Sequence, residues 1–231
     1  DVLRIMGEFD CKTSPYNPAF FTAKDDNTVG ETIAGSTGAP GTSYYGDYNL
    51  LFQSSSANVF SIHDIFSRYA RVGIGSSRSV EDQIWNIQIY NCETGVEATA
   101  GNLKLRNMLL QNTTYALSSF SALSKTMRAE HLTINAAGQI FRPGTSCTLQ
   151  ITNSLFCSIT NSSSGITSNS CSTISSSAFT AVGCGTHYLA DDTYRNAGTT
   201  NISAEASAIL RQTTTYPPIL LTNHFYADTT L

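Results

Sequence analysis

Two stretches of the chain keep the same beat while sharing almost no letters. Residues 103–117 read LKLRNMLLQNTTYAL, and residues 127–141 read MRAEHLTINAAGQIF. In each, an apolar or small residue alternates with a polar one for two cycles. A polar residue follows, Asn107 or His131, and then a second apolar segment. Alternation of this kind marks a strand with one buried side. Aligned on the first apolar position, the beat starts at Phe60, Ile84, Leu103, Met127, Leu149 and about Thr173, at intervals of 24, 19, 24, 22 and 24 residues. Repeats of roughly 20–25 residues, each with two or three short strands, mark a solenoid, in which one coil cannot bury its apolar side alone and the next coil completes the core. Leucine-rich repeats share the period but need a Leu/Asn consensus and a helical return, and a β-sandwich gives no reason for a shared phase. The expectation is an all-β chain wound as a parallel β-helix.

The phase also picks out residues. The fifth position of successive coils holds Asp64, Gln88, Asn107, His131, Asn153 and about Ser177. In a parallel β-helix such positions stack near the strand spacing of about 4.8 Å, so their side chains can form a hydrogen-bonded polar ladder at a turn. A second reading makes the row a groove lining with His131 as acid or base. Positions two and four should face outward: Ser61/His63, Trp85/Ile87, Lys104/Arg106, Arg128/Glu130 and Gln150/Thr152. On that face Trp85, Lys104, Arg106, Arg128 and Glu130 form a candidate carbohydrate surface, with Arg106 and Glu130 as an exposed neighbouring pair.

Composition narrows the class. Only 13% of the 231 residues are charged and the net charge is −4, which is not the basic footprint of a nucleic-acid partner. No apolar run approaches the ~20 residues of a membrane-spanning helix. Residues 145–177 are dense in Ser, Thr and Asn, as in turns and strand surfaces, and Leu149, Ile151, Leu155, Phe156, Ile159, Ile166 and Ile174 recur too regularly for a disordered linker. Six cysteines, at 11, 92, 147, 157, 171 and 184, show no CxxC spacing. Disulfides and buried free thiols both stay open, the second favoured because Cys packs as a small hydrophobe.

Residues 1–190 are expected to be coils, with a Gly/Ser/Thr-rich loop excursion near 30–46 that lacks the Lys of a phosphate loop. Residues 191–231 should form a capping and exit segment. Ser203 or Asn201 can cap a short helix over about 204–212, and Pro217-Pro218 forces an extended exit. The adjacent Asp191 and Asp192 read as solvated or capping rather than as a metal or acid/base pair.

These coils resemble right-handed parallel β-helix repeats of the pectate-lyase-like type. The exit segment YLADDTYRNAGTTNISAEASAILRQTTTYPPILLTN, with the earlier GDYNLLF, is similar to segments of very large β-helical surface proteins from the Planctomycetes and Verrucomicrobia group. The resemblance implies an extracellular or cell-surface location and adjacent segments of the same long polypeptide as partners. It carries over no catalytic residue, metal or cofactor, since neither clustered acidic calcium ligands nor an Asn-Thr-Asp strand with paired Asp is found in the sequence. The expected function is a non-catalytic structural or adhesive module. Two alternatives stand beside it: a polysaccharide-active lyase or glycoside hydrolase on the outward face, and a filament unit that associates end to end through open strand edges.

Overall fold

The computed structural model describes residues 2–41, 44–120, 124–144, 146–176, 178–182 and 185–212. Ser177, Cys184 and the Pro217-Pro218 exit lie outside the described residues. In chain order the strands are β1 (Val2–Ile5), β2 (Ala19–Phe21), β3 (Gly46–Phe52), β4 (Ser61–Arg68), β5 (Ala70–Ser76), β6 (Asp82–Tyr90), β7 (Thr94–Ala98), β8 (Leu103–Ser119), β9 (Lys125–Pro143), β10 (Cys147–Thr152), β11 (Leu155–Cys157), β12 (Ile166–Asn169), β13 (Ser172–Ile174), β14 (Phe179–Val182) and β15 (Gly185–Leu189). One helix follows, α1 (Ala204–Gln212). Strands β1 to β13 pair in parallel, and β14 and β15 form an antiparallel pair. The result is a parallel β-solenoid of about 5 turns.

Strand β8 contains a whole coil. Residues 103–106 lie on a first face, 108–111 on a second and 113–119 on a third. Between the faces stand two single residues with left-handed backbone, Asn107 at φ 48 and Asn112 at φ 51. One such residue turns a strand sharply, and Asn or Asp adopts it more cheaply than other L-residues because its short polar side chain bonds locally. The same two corners recur five residues apart along the stack. Corner one is Asp64, Asn86, Asn107, His131, Asn153 and Ser170, and corner two is Tyr69, Asn91, Asn112, Ala136 and Ser158, all with φ between 48 and 57.

The register revises the coil starts expected from the sequence. Ser61, Gln83, Lys104, Arg128, Gln150 and Thr167 are successive neighbours, so the coils are 22, 21, 24, 22 and 17 residues apart. The second coil begins at Asp82 rather than Ile84, and the sixth at Ile166 rather than Thr173, which instead pairs with Phe156 on the second face. The physical reason for the first slip is a polar residue in an inward position. Asp82 occupies the place held by Leu103 in the next coil and is fully buried, its charge met by Arg78 Nε at 2.8 Å. The Arg78 guanidinium lies 3.5 Å above the Phe60 ring and donates to the carbonyls of Ser54, Ser56 and Asn58. Asp82 Oδ1 accepts from the Phe60 amide at 2.9 Å. The pair ties the connection 53–60 to the coils, and an apolar pattern cannot reveal it.

The core is one continuous column. Ile62, Ile84, Leu105, Ala129 and Ile151 stack on the first face; Ile65, Ile87, Met108 and Leu132 on the second; and Ile74, Val96, Leu117 and Phe141 on the third. Ile87, expected to face outward, is fully buried because the true phase of its coil puts it after the corner. Truncating a column residue such as Leu105 to Ala is expected to cost about 2–5 kcal/mol. Cys11, Cys92, Cys147, Cys157 and Cys171 are free thiols among the described residues. Burial pushes the Cys92 thiol up to about 12, so it packs as a hydrophobe and is a poor nucleophile.

Candidate functional site

The corner-one row places Asp64, Asn107, His131 and Asn153 in line, and the register inserts Asn86 where Gln88 was expected. Gln88 stands two residues further on, buried on the second face between Phe66 and Leu109, and accepts from the Tyr90 hydroxyl. Asn86 Nδ2 donates to Asp64 Oδ1 at 3.2 Å, and Asn107 Nδ2 donates to Asn86 Oδ1 at 2.7 Å. Asp64 also meets His63 Nδ1 at 2.7 Å. Further along, Asn153 Nδ2 lies 3.3 Å from His131 Nε2. The sixth member by register is Ser170.

Asn153 joins the solenoid to the C-terminal segment. Its Oδ1 accepts from the Thr199 amide at 2.7 Å and its Nδ2 donates to the Thr199 carbonyl at 2.7 Å, so the side chain copies a backbone pairing edge. This fixes the orientation of the amide and makes His131 Nε2 the acceptor, leaving the proton of the neutral ring on Nδ1. Gly198 permits the approach, since a Cβ there would sit 3.0 Å from Asn153 Cγ. Burial holds the His131 imidazole below its ordinary value, against a smaller upward pull from Glu130. His187 is likewise lowered by burial; its Nε2 lies 3.1 Å from the Asn135 amide and its Nδ1 2.9 Å from the Thr186 hydroxyl.

Between the corner-one row and the segment formed by β14, β15 and residues 194–200 lies a cleft of about 550 Å³. Asn107, His131, Asn153, Phe179, His187 and Tyr194 contribute to its walls. Among the described residues that line it, the side chains are amide, hydroxyl, imidazole, aromatic or aliphatic, and none is Asp, Glu, Lys or Arg. Such a surface offers hydrogen bonds and ring faces without a fixed charge.

The expected carbohydrate face is organised differently. Arg106 and Glu130 are neighbours in register, with Nε to Oε2 at 3.3 Å, but they are not an exposed pair. The start of α1 lies against them, and Arg106 is only 4% exposed. Glu130 accepts from the Ser203 amide at 2.8 Å and from its hydroxyl at 2.5 Å, while Ser203 Oγ accepts from the Ala206 amide at 3.1 Å as the helix N-cap. Arg106 also reaches Gln83 Oε1 at 2.9 Å and approaches Glu205 at 3.7 Å. Burial pushes the Glu130 carboxyl up, but the Ser203 hydrogen bonds and the Arg106 charge outweigh it and hold it below the ordinary value. Lys104 and Arg128 both pair with Glu81, at 3.1 and 2.8 Å. Trp85 stacks on His63 with ring centroids 4.7 Å apart. The face is therefore a set of internal pairings with a smaller cleft of about 210 Å³ beside Ser203 and Glu205. Asp191 and Asp192 are exposed, Asp191 Oδ1 accepting from the Thr193 amide at 2.8 Å and Asp192 pairing with Arg195 at 3.2 Å.

Sequence reasoning missed Asn86, Thr199 and the docking role of Ser203. Asn86 carried a readable signal: Asn86/Asn91 and Asn107/Asn112 repeat the five-residue spacing of the two corners. Thr199 and Ser203 meet partners 46 and 73 residues away, and no local pattern encodes those contacts. No family model, curated protein or solved structure matches the chain.

Proposed function

We propose that the chain is a non-catalytic structural or adhesive module of an extracellular surface protein, a stretch of right-handed, pectate-lyase-like solenoid continuous with neighbouring segments of a longer polypeptide. One observation carries the reading: the charged side chains of the outward face are already paired within the fold. Arg106 is engaged with Glu130 and Glu205, and Lys104 and Arg128 with Glu81. A lyase base or a hydrolytic carboxylate pair has to be aimed at substrate, whereas Arg106 and Glu130 hold coils and helix together.

The test is a panel of uronate-containing and neutral polysaccharides, followed by unsaturated-product absorbance, new reducing ends and pull-down of insoluble glycans. The reading predicts no products, with retention marking an adhesive module and its absence a structural one. Turnover that disappears on joint Arg106→Ala and Arg128→Ala substitution would replace it with a polysaccharide-active enzyme. End-to-end association is favoured by the outer edges of β1 and β2, which pair only with β3 and β4 among the described residues, and by exposed Leu3 within β1 and Met6 just after it. A sedimentation coefficient that rises with protein concentration would support it, and a constant monomeric value would remove it.

A further inference from the structure

We infer that the 550 Å³ cleft beside corner one binds an uncharged, hydroxyl-rich glycan segment and discriminates against uronates and other anions. The inference rests on the adhesive reading and supplies its site and ligand class. Its size is in the range of roughly 300–1,000 Å³ typical of small-ligand sites.

Its walls are preorganised. The 194–200 wall is fixed to the solenoid by the paired Asn153 and Thr199 hydrogen bonds, with Gly198 allowing the contact. Phe179, which lines the cleft, packs against the His187 ring at 4.9 Å and helps to hold that wall.

Its lining residues carry groups able to recognise hydroxyls. His131 spends Nε2 as an acceptor toward Asn153, so Nδ1–H is its remaining donor. Tyr194 and Asn196 both line the cleft, and neither the Tyr194 hydroxyl nor the Asn196 side-chain amide has a side-chain partner among the described residues. A donor, a donor/acceptor and an amide with both functions match the mixed donor and acceptor character of sugar hydroxyls.

Charge decides the class. Among the described lining residues no cation is available to a carboxylate or phosphate. An anionic ligand would lose hydration there without an ionic partner, while a neutral sugar exchanges water for amide and hydroxyl groups at little net cost.

The experiment is titration calorimetry of the full chain with neutral oligosaccharides (cello-, xylo- and manno-hexaose) and with oligogalacturonate. The wild type, Tyr194→Ala, Asn196→Gly and the double variant Lys104→Ala/Arg128→Ala are compared. Glycine at 196 preserves the left-handed backbone found there, φ 58, and thermal unfolding checks that each variant is folded. The expected result is binding of a neutral oligosaccharide, weakened about tenfold or more by Tyr194→Ala and by Asn196→Gly, and little changed by the double variant. Binding that prefers oligogalacturonate, binding indifferent to both Tyr194 and Asn196, or no binding of any oligosaccharide would overturn the inference. New reducing ends would overturn the non-catalytic reading instead, and the effect of the two cleft variants on that turnover would still decide the cleft.

Discussion

The two corners of this solenoid share a backbone and differ in employment. Both turn the chain with a single left-handed residue, corner one in six coils and corner two in five. Corner one carries Asp64, Asn86, Asn107, His131 and Asn153, with bonds along the stack from Asp64 through Asn86 to Asn107 and from His131 to Asn153, which Thr199 caps. Corner two carries Tyr69, Asn91, Asn112, Ala136 and Ser158, with one side-chain bond along the row among the described residues, Asn112 Nδ2 to Asn91 Oδ1 at 2.6 Å. Turning the chain requires only the positive φ, which even Ala136 adopts at a cost of about 1–2 kcal/mol. The continuous polar row is added where another segment docks. Backbone geometry thus explains the coil, and side-chain chemistry explains what lies against it.

The sharpest way to break the comparison is Asn153→Gly. It keeps the backbone conformation but removes the two bonds to Thr199 and the bond to His131, at an expected cost of about 2–3 kcal/mol. Chemical denaturation of the full chain measures it. Acid comes next. Folding lowers the His131 and His187 values, so below about pH 6.5 the unfolded chain binds more protons and stability falls with pH until the folded values are passed. Protonation of His131 also sets a ring N–H against the Asn153 amide, whose orientation Thr199 fixes, so the C-terminal segment should loosen first. Glu130, held low, adds a separate loss as pH falls below about 4.5. Limited proteolysis at about pH 7.5 and about pH 5 should show earlier cleavage in 190–203 at the lower pH. A smaller effect of opposite sign is expected from Ala136→Asn, which relieves backbone strain at an exposed site and can extend the Asn91/Asn112 row. It should stabilise by about 1 kcal/mol, read as a rise of a few degrees in Tm. Smallest is Asn112→Gly, which loses one exposed bond and should cost less than about 1 kcal/mol.

The parallel solenoid was legible because alternation and a shared phase survive in LKLRNMLLQN and MRAEHLTIN. Asp64, Asn107, His131 and Asn153 followed from the same phase. The short helix was legible from a Ser203 or Asn201 cap; α1 spans Ala204–Gln212, and Ser203 is the residue that caps it. The second coil misled for an identifiable reason: Asp82 sits where an apolar residue belongs, and its charge is met by Arg78 instead of solvent. Moving the start to Ile84 displaced the corner from Asn86 to Gln88. One wall of the cleft was legible, since the second reading of the row is a groove lining that includes His131; the opposite wall was not. The walls come from His131, Phe179, His187 and Tyr194, brought together by the docking of Thr199 on Asn153 and Ser203 on Glu130. Those contacts depend on where a loop lands, which periodicity does not encode.

The most direct test of the division between the corners is amide hydrogen exchange, followed by NMR, at Thr199 and Ser203. Both amides donate to solenoid side chains, Asn153 Oδ1 and Glu130 Oε1. Both should be protected in the wild type and in Asn112→Gly, whereas in Asn153→Gly the Thr199 amide should exchange near the rate of an open chain while core strands stay protected. Equal protection of Thr199 in the two variants, or its absence in the wild type, would contradict the assignment of corner one as the docking row.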